Sequence, residues 1–312
     1  MIIWSVLICQ LFATFSVIAQ KLTSNSLQEP LAIQLMHLAG AASCESYIVN
    51  SNVTKQAVIV FRGTKTKSQL LLEGWASYSK GKDFVGMGAV NRYFRNAHNK
   101  MWPQVQEFIH RPEFKNYNLI FIGHSLGGAL ASLAAARTVK EGHRPAKMVQ
   151  LYTFGQPRTG GYNYSRNFDS LGIQSYRIIY AADIVPHQPT CEKDPKKPPN
   201  EDGSRACLAD YSNHAYHHGT EIWYPQKMTP GSKYLECLGQ PKNEDMNCSD
   251  MLTFQSENMD AYTWDHRHYF NLKVTSYGKS GCTDVSLGSE PAKKSAVSGF
   301  LSKITGVFSK IG

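Results

Sequence analysis

Charged side chains are scarce in this chain: Asp, Glu, Lys and Arg make up 18% of its 312 residues, while hydrophobic residues make up 42%. That balance excludes a disordered chain, a collagen-like repeat and a coiled coil, and no internal repeat of another kind is apparent. Histidine and cysteine nowhere cluster with the spacing of a zinc site, so no metal or organic cofactor is implied. The 33 Lys and Arg exceed the 24 Asp and Glu and give a formal net charge of +9. They are spread along the chain rather than gathered into an arm, no nucleic-acid-binding module is visible, and the surplus reads as a solubilising surface. Beyond the N-terminus no apolar run approaches the roughly 20 residues of a membrane span.

The N-terminal stretch Met1 to Gln20, MIIWSVLICQLFATFSVIAQ, contains no charged side chain and ends in the short residues Val17-Ile18-Ala19. It reads as a secretory signal peptide over residues 1–19, which makes the expected product extracellular. Its removal takes Cys9 and leaves Cys44, Cys191, Cys207, Cys237, Cys248 and Cys282. An even number in an oxidising compartment suggests disulfides, although sequence alone allows many pairings. The sequons Asn52-Val53-Thr54, Asn163-Tyr164-Ser165 and Asn247-Cys248-Ser249 fit the same route.

The remaining length suits one large α/β domain with appendages. A helix is expected around Leu31 to Ala42, then a buried strand, Ala57-Val58-Ile59-Val60-Phe61, that stops at Arg62-Gly63-Thr64. Helical spacing runs between Gly88 and Ile109. A second buried strand, Leu119 to Ile122, meets Gly123-His124-Ser125-Leu126-Gly127 and an alanine-rich helix from Gly128 to Val139. Further strands are expected at Met148 to Phe154 and Gln174 to Tyr180, and a Pro- and Lys-rich surface loop from Thr190 to Arg205. Strands alternating with helices imply a mostly parallel sheet with its chemistry at the carboxyl ends of the strands.

The segment at Ser125 fits G-x-S-x-G, in which glycines flank a serine because the turn from strand to helix is too sharp for side chains. Four apolar strand residues precede it and a small-residue helix follows, the setting that exposes a nucleophile at a helix N-terminus. A serine hydroxyl needs a base oriented by a carboxylate, and in this architecture they follow in the order Ser, Asp, His. Asp183 sits just past a strand, where its carboxylate is expected to reach the edge of the sheet. Downstream lie His187, His214, His217, His218, His266 and His268, and spacing alone does not choose among them.

Six blocks in order resemble the class 3, or fungal-type, lipases. They are Phe61-Arg62-Gly63-Thr64, Gly123-His124-Ser125-Leu126-Gly127-Gly128, Phe154-Gly155-Gln156-Pro157-Arg158, Asp183-Ile184-Val185-Pro186-His187-Gln188-Pro189, His217-His218-Gly219-Thr220-Glu221-Ile222-Trp223 and Asp265-His266-Arg267-His268-Tyr269-Phe270. The resemblance implies an α/β-hydrolase fold over residues 20–288, with a central mostly parallel sheet flanked by helices. It implies a serine ester hydrolase without cofactor: Ser125 the nucleophile, Asp183 the orienting acid and His266 the base, with His268 the nearest rival. Thr64, through its N–H and hydroxyl, and Leu126, through its N–H, are the implied oxyanion-hole donors. His124 is expected to pack within the elbow, and His217 and His218 to be structural.

The expected substrate is a lipid or ester, foremost an acylglycerol. A phospholipid, a feruloyl-type ester or a silent lipid-binding role on the same fold are the alternatives. From sequence proximity and the family's terminal bridge, the expected disulfides are Cys44 to Cys282, Cys191 to Cys207 and Cys237 to Cys248. Lys65 to Trp75 departs from the fungal polar pattern, and Ser68 to Tyr78 is expected to cover Ser125 as a mobile lid, with Leu70, Leu71, Leu72 and Trp75 as its apolar face. The tail, residues 289–312, is not covered by any family motif. Val297, Phe300, Leu301, Ile304, Val307, Phe308 and Ile311 recur at helical steps with Lys303 and Lys310 off the stripe, the pattern of an interfacial helix for an anionic lipid surface.

Overall fold

The computed structural model describes residues 26–42, 46–64, 81–200, 203–210, 214–239 and 242–291. The signal segment, Cys44, the expected lid Ser68 to Tyr78 and the amphipathic stripe of the tail lie outside the described residues. A seven-stranded sheet forms the centre, in the order β1 (Tyr47–Ser51), β2 (Gln56–Phe61), β5 (Asn118–His124), β6 (Val149–Phe154), β8 (Gln174–Tyr180), β10 (Thr220–Tyr224) and β11 (Leu235–Cys237). The five strands from β2 to β10 run parallel, and β1 and β11 pair antiparallel at the two edges. The two antiparallel edges had no sequence expectation. Two-residue strands β3 (Lys82–Asp83), β4 (Ala89–Val90), β7 (Gly160–Gly161) and β9 (Ala215–Tyr216) make a small second sheet, and β12 (His268–Tyr269) pairs with β13 (Leu272–Lys273).

The apolar runs are continuous rather than alternating because both faces of the central strands are covered. In β2, Ala57, Ile59 and Phe61 join one core with Leu119 and Phe121 of β5, while Val58 and Val60 join a second with Ile120 and Ile122. The first core is closed by α2 (Arg92–His110) and α3 (Leu126–Lys140), the second by α1 (Glu29–Ala41) and α6 (Val274–Lys279). In α3, Ala129, Ala131, Ala134, Ala135 and Ala136 are fully buried, so small side chains let this helix lie close to the sheet. Gly127 sets the closest approach: a Cβ there would stand 2.1 Å from the carbonyl oxygen of Phe61.

Cys191 bonds to Cys207 and Cys237 to Cys248, as expected. Cys282 is also disulfide-bonded. No helix among the described residues is long and apolar enough to cross a membrane.

Candidate active site

Ser125 caps α3 between β5 and the helix with φ 59° and ψ −128°. A positive φ is costly for a residue with a Cβ, and here it lifts the hydroxyl out of the strand line toward the helix N-terminus. The turn is held by the Ser125 N–H, which donates to the carbonyl of Phe154 at 2.9 Å. His266, near the end of α5 (Met259–Arg267), brings Nε2 to 3.0 Å from Ser125 Oγ. Its Nδ1 lies 3.0 Å and 2.9 Å from the two carboxylate oxygens of Asp183, beyond the end of β8. Nδ1–H therefore donates to the carboxylate, which leaves Nε2 as the acceptor facing the serine hydroxyl.

The carboxylate, just past the end of β8, is buried at the centre of this arrangement with no exposed surface. It accepts from the Val185 N–H at 2.9 Å and from the Tyr269 hydroxyl at 2.6 Å. Burial and the adjacent Asp183 charge push the Tyr269 phenol well above its ordinary value, so it stays a donor. Asp265, the neighbour of His266, accepts from the Ala182 N–H at 3.0 Å and pins the Asp183 loop to α5. His124 Nε2 lies 2.7 Å from the His266 carbonyl. Burial first, and the neighbouring His266 second, hold His124 well below the ordinary histidine value, so it is a neutral donor that fixes the His266 backbone.

The rival base is elsewhere: His268 stacks on Trp264 at 3.8 Å between ring centres, and its nitrogens face the carbonyls of Trp264 and Leu287 at 2.6 Å and 2.9 Å. His217 Nε2 lies 2.8 Å from the Pro186 carbonyl, and His218 packs against Phe168. His187 stands 3.7 Å from Asp250, and His214 stands 3.8 Å from Glu192. Of the six downstream histidines, only His266 is brought to Ser125.

Gly155 forms the floor. Its φ is +57°, and a Cβ there would lie 2.6 Å from Asp183 Oδ2 and 2.9 Å from His266 Nδ1. Gly155→Ala is expected to displace that pair and lower kcat by about 100-fold, the scale of an ångström-sized misplacement. Steady-state kinetics on a soluble ester check this, and an unchanged kcat would show that the pair tolerates the methyl group.

The Thr64 loop flanks the serine: a Cβ at Gly63 would stand 3.7 Å from the Ser125 Cβ. The Thr64 hydroxyl is buried and makes no hydrogen bond among the described residues. Leu126 is the first residue of α3, so its N–H has no helical carbonyl to meet. One hydroxyl and one amide are thus available beside Ser125.

Arg158, a motif residue without an assigned chemistry, forms a buried clamp with Glu244 and Asp250 that also holds the Asp183 loop at Pro189. The Arg158 guanidinium donates to Glu244 at 2.9 Å and 2.7 Å, to Asp250 at 3.1 Å and to the Pro189 carbonyl at 3.2 Å. Glu244 also accepts from the His217 N–H at 2.8 Å. Beside it Arg177 lies 3.5 Å from Glu221, which accepts from the Ser249 N–H at 3.0 Å. Glu221, Cys237 and Cys248 lie close together, as do Cys207, Glu244 and Asp250. Their cysteines are spent in disulfides and offer no thiolate to a metal.

Comparison with known proteins gives one consistent result. A family model described as Lipase (class 3) matches residues 58–193. Lipase ZK262.3 of Caenorhabditis elegans is 43% identical over 265 residues, covering 84% of this chain and 75% of that protein. The lipase of Rhizopus niveus is 32% identical over 148 residues, 46% of this chain, which here spans only 37% of that relative's length. The crystal structure of a lipase from Rhizopus microsporus var. chinensis superposes with a TM-score of 0.59 at 23% identity, over 78% of this chain and 87% of that one, and shows the same fold.

Proposed function

The chain belongs to the class 3 lipase family of α/β-hydrolases, as a lipase-like carboxylic ester hydrolase, and from that premise we propose that it is a secreted serine lipase of the triacylglycerol type. The observation that carries the reading is the buried relay from Ser125 Oγ through His266 to Asp183, with contacts of 3.0 Å and 2.9 Å. His266 Nε2 takes the Ser125 proton as Oγ attacks the ester carbonyl, and Asp183 stabilises the imidazolium. The Thr64 hydroxyl and N–H, with the Leu126 N–H, receive the oxyanion. His266 then gives its proton to the departing alcohol. Water attacks the acyl-enzyme by the same steps and releases the acid.

Two disulfides support an extracellular destination. Of the three sequons, Asn52 and Asn247 are exposed, whereas Asn163 lies in the first turn of a helix, Tyr162–Ser170, whose Ser165 is fully buried.

Labelling with a serine-reactive phosphonate, followed by peptide mapping, tests the nucleophile; a protein that turns over ester yet is not modified at Ser125 would sink the assignment. Rates on a triglyceride, a phospholipid and a short soluble ester test the substrate class. Faster hydrolysis of phospholipid than of triglyceride would replace the triacylglycerol reading with a phospholipase.

The oxyanion role has its own signature. Thr64→Val keeps the shape and removes a hydroxyl that has no partner among the described residues. It is expected to lower kcat by about 10²–10³-fold, the usual loss for one such donor. Thermal stability should be unchanged or slightly higher, because no hydrogen bond is broken and an unpaired polar group is deleted. A stability loss with normal kcat would mean that the hydroxyl serves the fold.

A further inference from the structure

The loop that carries Asp183 does not complete its own hydrogen bonds. Beyond Asp183 the chain makes a short 3-10 turn, Val185–His187, whose first N–H donates to the Asp183 carboxylate at 2.9 Å. Around the turn the His187 N–H donates to the Ile184 carbonyl at 3.1 Å and the Gln188 N–H to the Val185 carbonyl at 3.0 Å. By the same step of three residues the Pro186 carbonyl would be met by residue 189. That residue is proline and has no N–H, so the carbonyl is left for a donor from outside the loop.

The donor is His217, between β9 and β10, whose Nε2 lies 2.8 Å from the Pro186 carbonyl oxygen. Only a protonated ring nitrogen can serve a carbonyl, so Nε2 carries the hydrogen, while Nδ1 is buried without a hydrogen bond among the described residues. The ring is neutral: burial first, then Arg177, Arg158, His187 and His218, hold it well below the ordinary histidine value. Its own backbone is fixed on both sides, since the N–H donates to Glu244 at 2.8 Å and the carbonyl accepts from the Ser165 hydroxyl. The ring is thus a fixed point against which the turn is set. The carbonyls of Gln188 and Pro189 accept from the Arg158 N–H at 2.9 Å and from its guanidinium at 3.2 Å. Those two bonds hold the far end of the loop, whereas His217 holds the turn next to Val185. The adjacent His218 makes no such contact, and both of its ring nitrogens are buried without a hydrogen bond among the described residues.

We infer that His217 is a positioning residue for ester hydrolysis: by holding the Pro186 carbonyl it sets the Val185 N–H that orients the Asp183 carboxylate toward His266. The inference rests on the serine relay proposed above, because a displaced Asp183 matters to the rate only if it orients the base. It gives a chemical role to the first residue of the His217-His218-Gly219-Thr220-Glu221-Ile222-Trp223 block.

The test is kcat and KM on a soluble ester for three substitutions, each made alone and together with Asp183→Asn, with circular dichroism to confirm folding. His217→Leu removes the donor, His217→Asn keeps an amide that stops short of the carbonyl, and His217→Gln carries an amide N–H to about the place of Nε2. His217→Leu and His217→Asn are each expected to lower kcat roughly 10–100-fold with KM changed less than about twofold, the mark of a misplaced group that acts in the transition state. His217→Gln should hold kcat within about threefold of the parent, because the donor is kept. Beside Asp183→Asn, all three should change kcat by less than about threefold, because no carboxylate is left to orient. A loss that persists undiminished in the Asp183→Asn background would make His217 a structural residue and overturn the inference. So would a parental kcat in both His217→Leu and His217→Asn, or a His217→Gln protein no faster than His217→Asn. Undiminished kcat in Asp183→Asn alone would sink the relay itself and the positioning role with it.

Discussion

Ser125→Ala and His266→Ala are each expected to lower kcat for ester hydrolysis by roughly 10⁴–10⁶-fold, and the double variant to be no slower than either, because nucleophile and base act as one unit. Asp183→Asn should cost on the order of 10⁴-fold. In that variant one carboxylate oxygen becomes an NH₂, so only one of the Val185 N–H and the Tyr269 hydroxyl, which donate to different oxygens, keeps its acceptor, while an amide NH₂ turned to His266 Nδ1 selects the tautomer that protonates Nε2 and blocks proton abstraction. His268→Ala is the control, since its ring contacts Trp264 and Leu287 and neither Ser125 nor Asp183. Steady-state rates on a soluble ester, with circular dichroism to confirm folding, decide the matter. Additive losses in the double variant would mean that Ser125 and His266 do not share one proton-transfer step.

The parts of this molecule that were legible beforehand are those where one local cause dominates. The strands Gln56–Phe61 and Asn118–His124 carry unbroken apolar runs, Ala57 to Phe61 and Leu119 to Ile122, because helices cover both faces of the sheet. The elbow was legible because only glycine fits the approach of α3 to β2. The proposed base was not legible from the residues alone. Six histidines follow Asp183, and what selects His266 is the 141-residue separation closed by the fold to a 3.0 Å contact. The Tyr269 bond to Asp183, between residues 86 positions apart, leaves no mark in the sequence either. The edge strand Leu235–Cys237 and the two-residue strands of the second sheet are too short for periodicity to register. Asp183 lies just past a strand, as expected, but its burial beneath Tyr269, Gly155 and α5 was not legible.

Arg158 has the largest expected effect on stability. Its guanidinium is 2% exposed and Glu244 is wholly buried, so neither charge has water to fall back on. The Arg158 charge and its hydrogen bonds hold Glu244 below the ordinary carboxyl value against the opposing effect of burial. Burial first, and the nearby Glu244 charge second, push Asp250 well above its ordinary 3.8. Of the two, Glu244 is the acid that ionises first and Asp250 the one that holds its proton to higher pH. Arg158→Met leaves Glu244 as a buried charge without its partner and should destabilise the fold by about 3–5 kcal/mol, read from the urea midpoint. Asp250→Asn imitates the protonated acid and should cost less than about 1 kcal/mol near pH 5. The two carboxyls also differ in sign with pH. Asp250 has a raised value, so its contribution is full below 3.8 and is lost as pH rises through the folded value. Glu244 has a depressed value, so its contribution is present above the ordinary 4.5 and is lost as pH falls through the folded value. Relative to the parent, the Asp250→Asn protein should therefore gain stability as pH climbs above 3.8 toward the raised folded value of Asp250, because its side chain has no proton to lose. A parallel pair of stability curves over that range would mean that Asp250 is already ionised beside Arg158, and an Arg158→Met cost below about 1 kcal/mol would mean that the clamp relaxes to admit water.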